Sequence, residues 1–148
     1  MSYRYSLHVM TPMRRLALVS ALILGVACDE GDVVTGFVPS PSPPTRLTVS
    51  VQPSDVTVLE AISPAVRVEI RNNAGQVVAN STLPVTMSIT PNTGTPGAAL
   101  SGQVIVNAEN GIATFNNLRI NQAGTGYTLT ATVTGLAAVI TAPFDVTP

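Results

Sequence analysis

Hydrophobic and polar residues alternate along most of the chain from Arg46 to Pro148. In residues 66–71, valine and isoleucine alternate with arginine and glutamate. The same period of two recurs in residues 85–90 and 127–134, where threonine or serine fills the polar positions. This period is typical of a β-strand with one buried and one exposed face. No segment keeps a helical period, so the pattern predicts an all-β domain.

Nine strands are predicted, and residues that favour turns, chiefly Asn, Gly and Pro, lie between many of them. They span residues 47–51, 56–59, 65–71, 76–79, 84–90, 103–106, 112–118, 126–134 and 137–146. Asn110 and Gly111 tolerate the positive φ of a tight turn, which predicts a hairpin between the sixth and seventh strands. Seven to nine short strands with turns between them are typical of a two-sheet antiparallel β-sandwich.

Residues 1–27 have the composition of a signal peptide. Arg14 and Arg15 precede an apolar run over residues 16–27, which is shorter than the about 20 residues of a transmembrane helix. Met1, Met10 and Met13 are all compatible with the start of translation. The sequence therefore predicts export and removal of this segment.

Cys28 directly follows the apolar run, and residues 25–28 read Gly-Val-Ala-Cys. This segment resembles the lipobox of bacterial lipoproteins, although that pattern prefers Leu where this chain has Gly25. The resemblance implies acylation of Cys28 and anchoring in the inner or outer membrane of a bacterial envelope. Ordinary signal peptidase would cut at the same bond, because Gly25 and Ala27 are small, and would leave an exported free thiol.

Residues 28–45 form a linker that begins with three acidic residues and ends in a Pro-rich stretch. Such a composition cannot bury a hydrophobic core and predicts an extended spacer. The predicted organisation is thus a signal peptide (1–27), a lipidated cysteine with its linker (28–45) and a β-sandwich (46–148).

Two segments in the second half of the predicted sandwich share a pattern with a known family. Residues 111–120 read GIATFNNLRI, and residues 123–131 read AGTGYTLTA. Together with residues 51–54, 62–68 and 73–78, they resemble the bacterial immunoglobulin-like modules of invasin- and intimin-type adhesins. The resemblance implies an immunoglobulin-like β-sandwich and a structural or interaction role at the cell envelope.

The same resemblance implies structural roles for individual residues. Tyr127, three residues after Gly124, corresponds to a tyrosine corner whose hydroxyl bonds the backbone upstream. Leu129 and Val68 stand where immunoglobulins carry their two disulfide cysteines, so an apolar pair replaces the disulfide. Phe115 corresponds to a core position, and Gly111 to the turn before its strand.

The composition excludes most catalytic chemistry and nucleic-acid binding. His8 leaves with the signal peptide and the chain has no lysine, which excludes Ser-His-Asp triads, Schiff-base lysines and His-ligated zinc. The remaining carboxylates of residues 46–148 are not aligned, so we expect no enzyme, cofactor or metal. Four arginines face eight acidic residues after cleavage, whereas nucleic-acid binding needs a basic surface.

The sequence therefore predicts a non-catalytic, envelope-anchored lipoprotein that presents one immunoglobulin-like module to an envelope protein or polysaccharide. The alternative is a soluble, secreted carbohydrate- or matrix-binding module without a lipid anchor. Which partner it binds and whether copies associate are open at this point.

Acylation of Cys28 is testable by metabolic labelling. Cells that express the chain should incorporate radiolabelled palmitate into it, and Cys28→Ser should abolish the label because no other cysteine is present. Soluble protein in the medium with a free thiol would contradict the anchor.

Overall fold

The computed structural model describes residues 42–148, which are all-β. The predicted signal peptide, Cys28 and linker residues 28–41 lie outside this range. Among the residues described, no helix is long and apolar enough to cross a bilayer. The strands are β1 (Arg46–Val51), β2 (Val56–Thr57), β3 (Val66–Arg71), β4 (Pro84–Ile89), β5 (Leu100–Ser101), β6 (Ile105–Asn107), β7 (Ile112–Phe115), β8 (Arg119–Ile120), β9 (Gly124–Tyr127), β10 (Leu129–Thr132), β11 (Val139–Ile140) and β12 (Phe144–Thr147).

Two main sheets form the domain. One has the order β1-β3-β7 and the other the order β11-β10-β4-β6, and all of these neighbours are antiparallel. A third ladder adjoins the second sheet along the chain, because only one residue separates β9 from β10. In this ladder β9 pairs with β12, and the strand order is β2-β12-β9. Within that ladder β2 and β12 run parallel, which the sequence pattern did not predict. A small ladder joins β5 to β8.

Alternate residues of the central strands supply the core. Val66, Val68 and Ile70 of β3 are buried and belong to one hydrophobic cluster with Val85 of β4 and Leu129 of β10. Their polar neighbours point outward, as the period of two requires. The predicted all-β sandwich is therefore confirmed.

Residues 76–79 do not form the predicted strand. Only Val77 makes an isolated bridge, to Arg71. Asn72 forms the turn before this segment, because its Oδ1 accepts hydrogen bonds from the backbone N–H groups of Ala74 and Gln76, each at 2.9 Å. The turn returns the chain to β3, where the Val78 N–H donates to the Ile70 carbonyl oxygen at 2.9 Å. The pairing ends there because β7 occupies the rest of this edge of β3.

The last two predicted strands are each divided. Residues 126–134 fall in β9 and β10, and residues 137–146 fall in β11 and β12. Thr141 lies between β11 and β12, where its buried Oγ1 accepts a hydrogen bond of 3.0 Å from the backbone N–H of Leu129. A side chain thus replaces a backbone acceptor at this point of the ladder, and Pro143 two residues later has no N–H to donate.

The tight turn at Asn110 and Gly111 forms, but the predicted hairpin does not. Both residues have positive φ, 51° and 79°, and the flanking Glu109 and Ile112 exchange two backbone hydrogen bonds of 2.9 Å. The strands then diverge: β6 pairs with β4, whereas β7 pairs with β3 in the other sheet. A Cβ at Gly111 would lie 2.5 Å from the carbonyl oxygen of Val78, so this position requires glycine.

A buried tyrosine closes one end of the sandwich. Tyr127 is completely buried, and its hydroxyl donates a hydrogen bond of 2.9 Å to the carbonyl oxygen of Gln122, five residues upstream. The ring lies 6.2 Å, centroid to centroid, from that of Phe144 on the neighbouring strand β12. The hydroxyl therefore holds the residues that precede β9, while the ring packs within the core.

Two glycines and a threonine fit closely around this tyrosine. A Cβ at Gly94 would overlap the Tyr127 ring, and a Cβ at Gly124 would overlap Thr95 Oγ1. Thr95 in turn donates a hydrogen bond of 2.6 Å to the carbonyl oxygen of Ala123. Residues 92–97 read NTGTPG in the sequence, which favours a turn. Turn residues do not reveal which side chain they will pack against.

A charge at Leu129 should prevent folding. Leu129 is completely buried, and an unpaired carboxylate there loses its hydration at a cost of several kcal/mol, comparable with a total stability of about 5–15 kcal/mol. We expect Leu129→Asp to abolish the cooperative thermal transition seen by circular dichroism.

The matched control is Thr132→Asp, three residues along the same strand and exposed, which should keep the native transition. Normal expression of Leu129→Asp with an unchanged melting temperature would contradict this assignment of the core.

Removal of one oxygen tests the hydrogen bond at the tyrosine. Tyr127→Phe keeps the ring and its packing but leaves the Gln122 carbonyl without this donor, so the free energy of unfolding should fall by about 1 kcal/mol. The measurement is urea denaturation, and an unchanged midpoint would show that the hydroxyl contributes nothing.

Candidate interaction surface

The residues singled out in the sequence occupy the interior and not a cleft. Val68, Phe115, Tyr127 and Leu129 are completely buried members of the same cluster. Gly111 is buried at its turn, whereas Gly124 is half-buried at the start of β9. These residues hold the sandwich together, so a functional surface has to be sought among outward-facing side chains.

Three of the five carboxylates of the described domain bind neighbouring groups of the domain itself. The five carboxylates are Asp55, Glu60, Glu69, Glu109 and Asp145. Glu69 pairs with Arg71, whose Nε lies 3.0 Å from its Oε2. Asp145 Oδ1 accepts a hydrogen bond of 2.8 Å from the Gly126 N–H, and Asp55 Oδ1 accepts one of 2.8 Å from the Asp145 N–H. Within residues 42–148, no three His, Cys, Asp or Glu side chains gather as metal ligands would.

Charge is distributed unequally between the two sheets. Residues 72–108 and 120–144 contain no Asp, Glu, Lys or Arg, and these two stretches supply all four strands of the β11-β10-β4-β6 sheet. The β1-β3-β7 sheet carries Arg67, Glu69 and Arg71 on alternate residues of β3, opposite in direction to its buried valines. One outer face of the sandwich is therefore charged and the other has no charge at all.

The uncharged face is defined by the outward side chains of β11, β10, β4 and β6. Strand register places them in two rows across the sheet, Thr132–Thr86–Ile105 and Ile140–Thr130–Ser88. Hydroxyl groups thus occupy the two central strands, and an isoleucine stands at each outer strand.

The two isoleucines of the uncharged face are unusually open to solvent. Ile105 is 54% exposed and Ile140 is 53% exposed, and besides them only Leu59, at 56%, is a large exposed hydrophobic residue in the described domain. Leu59 follows β2 and belongs to neither row. Two of the three exposed large apolar side chains therefore lie on a single face.

Hydrogen bonds hold some of the hydroxyl groups of this region in place. The Oγ1 atoms of Thr90 and Thr130 are 2.8 Å apart across the sheet, and Thr132 Oγ1 donates to the Thr86 carbonyl at 3.4 Å. Hydroxyl groups can both donate and accept, but no side chain on this face can form an ion pair. The surface therefore suits an uncharged partner.

Comparison with known proteins supports the fold and nothing finer. No protein-family model matches the chain, and no curated protein is significantly similar to it. Among solved structures, a glycosyl hydrolase family 2 member from Bacteroides cellulosilyticus is similar with a TM-score of 0.51 and 14% identity. The likeness covers 71% of this chain and 15% of that one.

A β-glucuronidase from Parabacteroides merdae is also similar, with a TM-score of 0.48 and 18% identity over 67% of this chain. The chain corresponds to 12% of the length of that protein. At such identities the likeness to the Bacteroides protein concerns the path of the chain alone. It is consistent with an immunoglobulin-like β-sandwich.

Proposed function

We propose that this protein is a non-catalytic lipoprotein of the bacterial envelope. In this proposal the acylated Cys28 anchors the chain, the linker holds the domain away from the membrane, and a single immunoglobulin-like module of the bacterial adhesin type engages a partner. The partner is an envelope protein or a surface polymer, bound through the uncharged face.

The single observation that carries the proposal is the uncharged face with its two exposed isoleucines. Exposed apolar side chains gathered on one face mark an interaction surface more often than isolated ones do. Nearby charged side chains would have to be desolvated on binding, and this face has none. The charged face, by contrast, would keep its hydration in such a complex.

The described aromatic residues argue against the secreted carbohydrate-binding alternative. Phe115, Tyr127 and Phe144 are all buried in the core, so none of them offers a stacking platform for a sugar ring. A hydroxyl-lined face retains hydrogen-bonding capacity for a neutral polymer, but it lacks the large apolar contact that an aromatic ring supplies.

Envelope binding can be measured apart from the anchor. The full chain with Cys28→Ser is released from the membrane and mixed with envelopes of cells that express the native chain. We expect it to cosediment with them, and the bound fraction should change little between low and high salt because the contact involves no charges.

A matched pair of variants assigns the binding to one face. Ser88→Arg places a long cation on the uncharged face, whereas Ser50→Arg makes the same change at an exposed serine of β1 in the other sheet. Ser88→Arg should raise the apparent Kd for the envelopes at least about fivefold, which corresponds to about 1 kcal/mol. Equal losses of affinity for both variants, or no cosedimentation of the parent, would contradict the proposal.

A further inference from the structure

The exposed isoleucines lie at opposite edges of the same face. Ile105 is on β6 and Ile140 is on β11, the two outermost strands of the four-stranded sheet. With strands about 4.8 Å apart, the two edges are separated by roughly 14 Å. A single compact ligand would contact only one isoleucine, whereas a surface of the same width would cover both.

A second copy of this face matches that arrangement. Ile105 and Ile140 lie in different rows of the face. If two copies stack face to face about a twofold axis that lies in the plane of the face and is perpendicular to the line joining these two residues, the β6 edge of each copy lies over the β11 edge of the other. Ile105 of one copy then faces Ile140 of its partner, and the symmetry repeats the contact. Such an isologous contact uses the same patch on both copies.

The charge distribution permits this pairing on one face only. The uncharged face brings no like charges together when it meets itself. The charged face would stack Arg67, Glu69 and Arg71 against their own copies, and each would have to give up hydration. Thr and Ser hydroxyls at the centre of the uncharged face can hydrogen-bond one another, because each is both donor and acceptor.

The available area limits the strength of the contact. The four strands have 2, 4, 6 and 3 residues. At about 4.8 Å between strands and about 3.3 Å per residue they give a face of roughly 240 Å2. A pair of such faces buries less than the about 1,200 Å2 that separates stable from weak interfaces. Confinement of both copies to one membrane raises their effective concentration and compensates for a weak contact.

We propose that the partner of the uncharged face is a second copy of this chain, and that the two copies pair face to face on the membrane. The inference rests on the proposed function, since it uses the anchor to concentrate the copies. It goes further by naming the partner and the residues that meet, Ile105 with the partner copy's Ile140.

Site-specific crosslinking in intact envelopes tests the pairing. Two differently tagged full chains, one with Ile105→Cys and the other with Ile140→Cys, are expressed together and treated with a short bismaleimide. We expect a dimer that carries both tags, several-fold more abundant than the dimers of either variant expressed alone. Each variant alone would need two equivalent edges to meet, which lie far apart in this arrangement.

Two controls separate the proposed contact from random collision. Leu59→Cys introduces a thiol at an equally exposed apolar position outside the uncharged face and should crosslink no more than the unmodified chain. Adding Ser88→Asp to both copies should reduce the mixed dimer several-fold, since it places like charges within the contact, whereas Ser50→Asp on the other sheet should leave it unchanged.

The pairing is overturned if the mixed dimer is absent, if Leu59→Cys yields as much dimer, or if Ser88→Asp has no effect. Loss of the pairing leaves the proposed function standing as long as envelope binding of the Cys28→Ser chain still depends on Ser88. The face would then belong to a different envelope protein or polysaccharide.

Discussion

Apolar side chains from both sheets meet in one buried cluster, and residues 42–148 contain no cysteine that could join the sheets covalently. Cohesion of the sandwich therefore depends on the burial of aliphatic and aromatic groups from alternate strand positions. Val68 and Leu129, from opposite sheets, are completely buried members of this cluster. Because alternation sends every second residue inward, the same pattern that builds the core also determines which residues are left for the surface.

The outward residues of the two sheets differ in charge, so the sandwich has two different outer faces. On β3 the outward positions are charged, whereas on β4 and β10 they are threonine and serine. Both kinds of residue are compatible with the fold, since neither enters the core. The difference between the faces is therefore not required by folding, and the proposed contact through the uncharged face would make use of it.

Tyr127 shows how closely local backbone and core are connected at one end of the domain. Its ring occupies the space that a side chain at Gly94 would fill, and its hydroxyl satisfies the Gln122 carbonyl. The loop after β4 is held against this ring, so the end of the uncharged face has a defined shape. Rigid elements of this kind lower the entropic cost of binding.

Alternation along the chain was sufficient to predict the class of fold, the location of most strands and the buried positions, because a period of two can only place residues on opposite faces of a strand. The Asn110–Gly111 pair predicted the tight turn, because tolerance of a positive φ is a local property of these residues. Neither alternation nor turn residues could predict which strands pair. β6 and β7 flank this turn, yet they join different sheets. Thr141 likewise accepts a hydrogen bond from the N–H of Leu129, a residue twelve positions away that comes close only on folding. The uncharged face was also decided by the tertiary structure. Charge-free stretches are visible in the sequence, but only the pairing of the strands brings Ile105 and Ile140 to opposite edges of one surface.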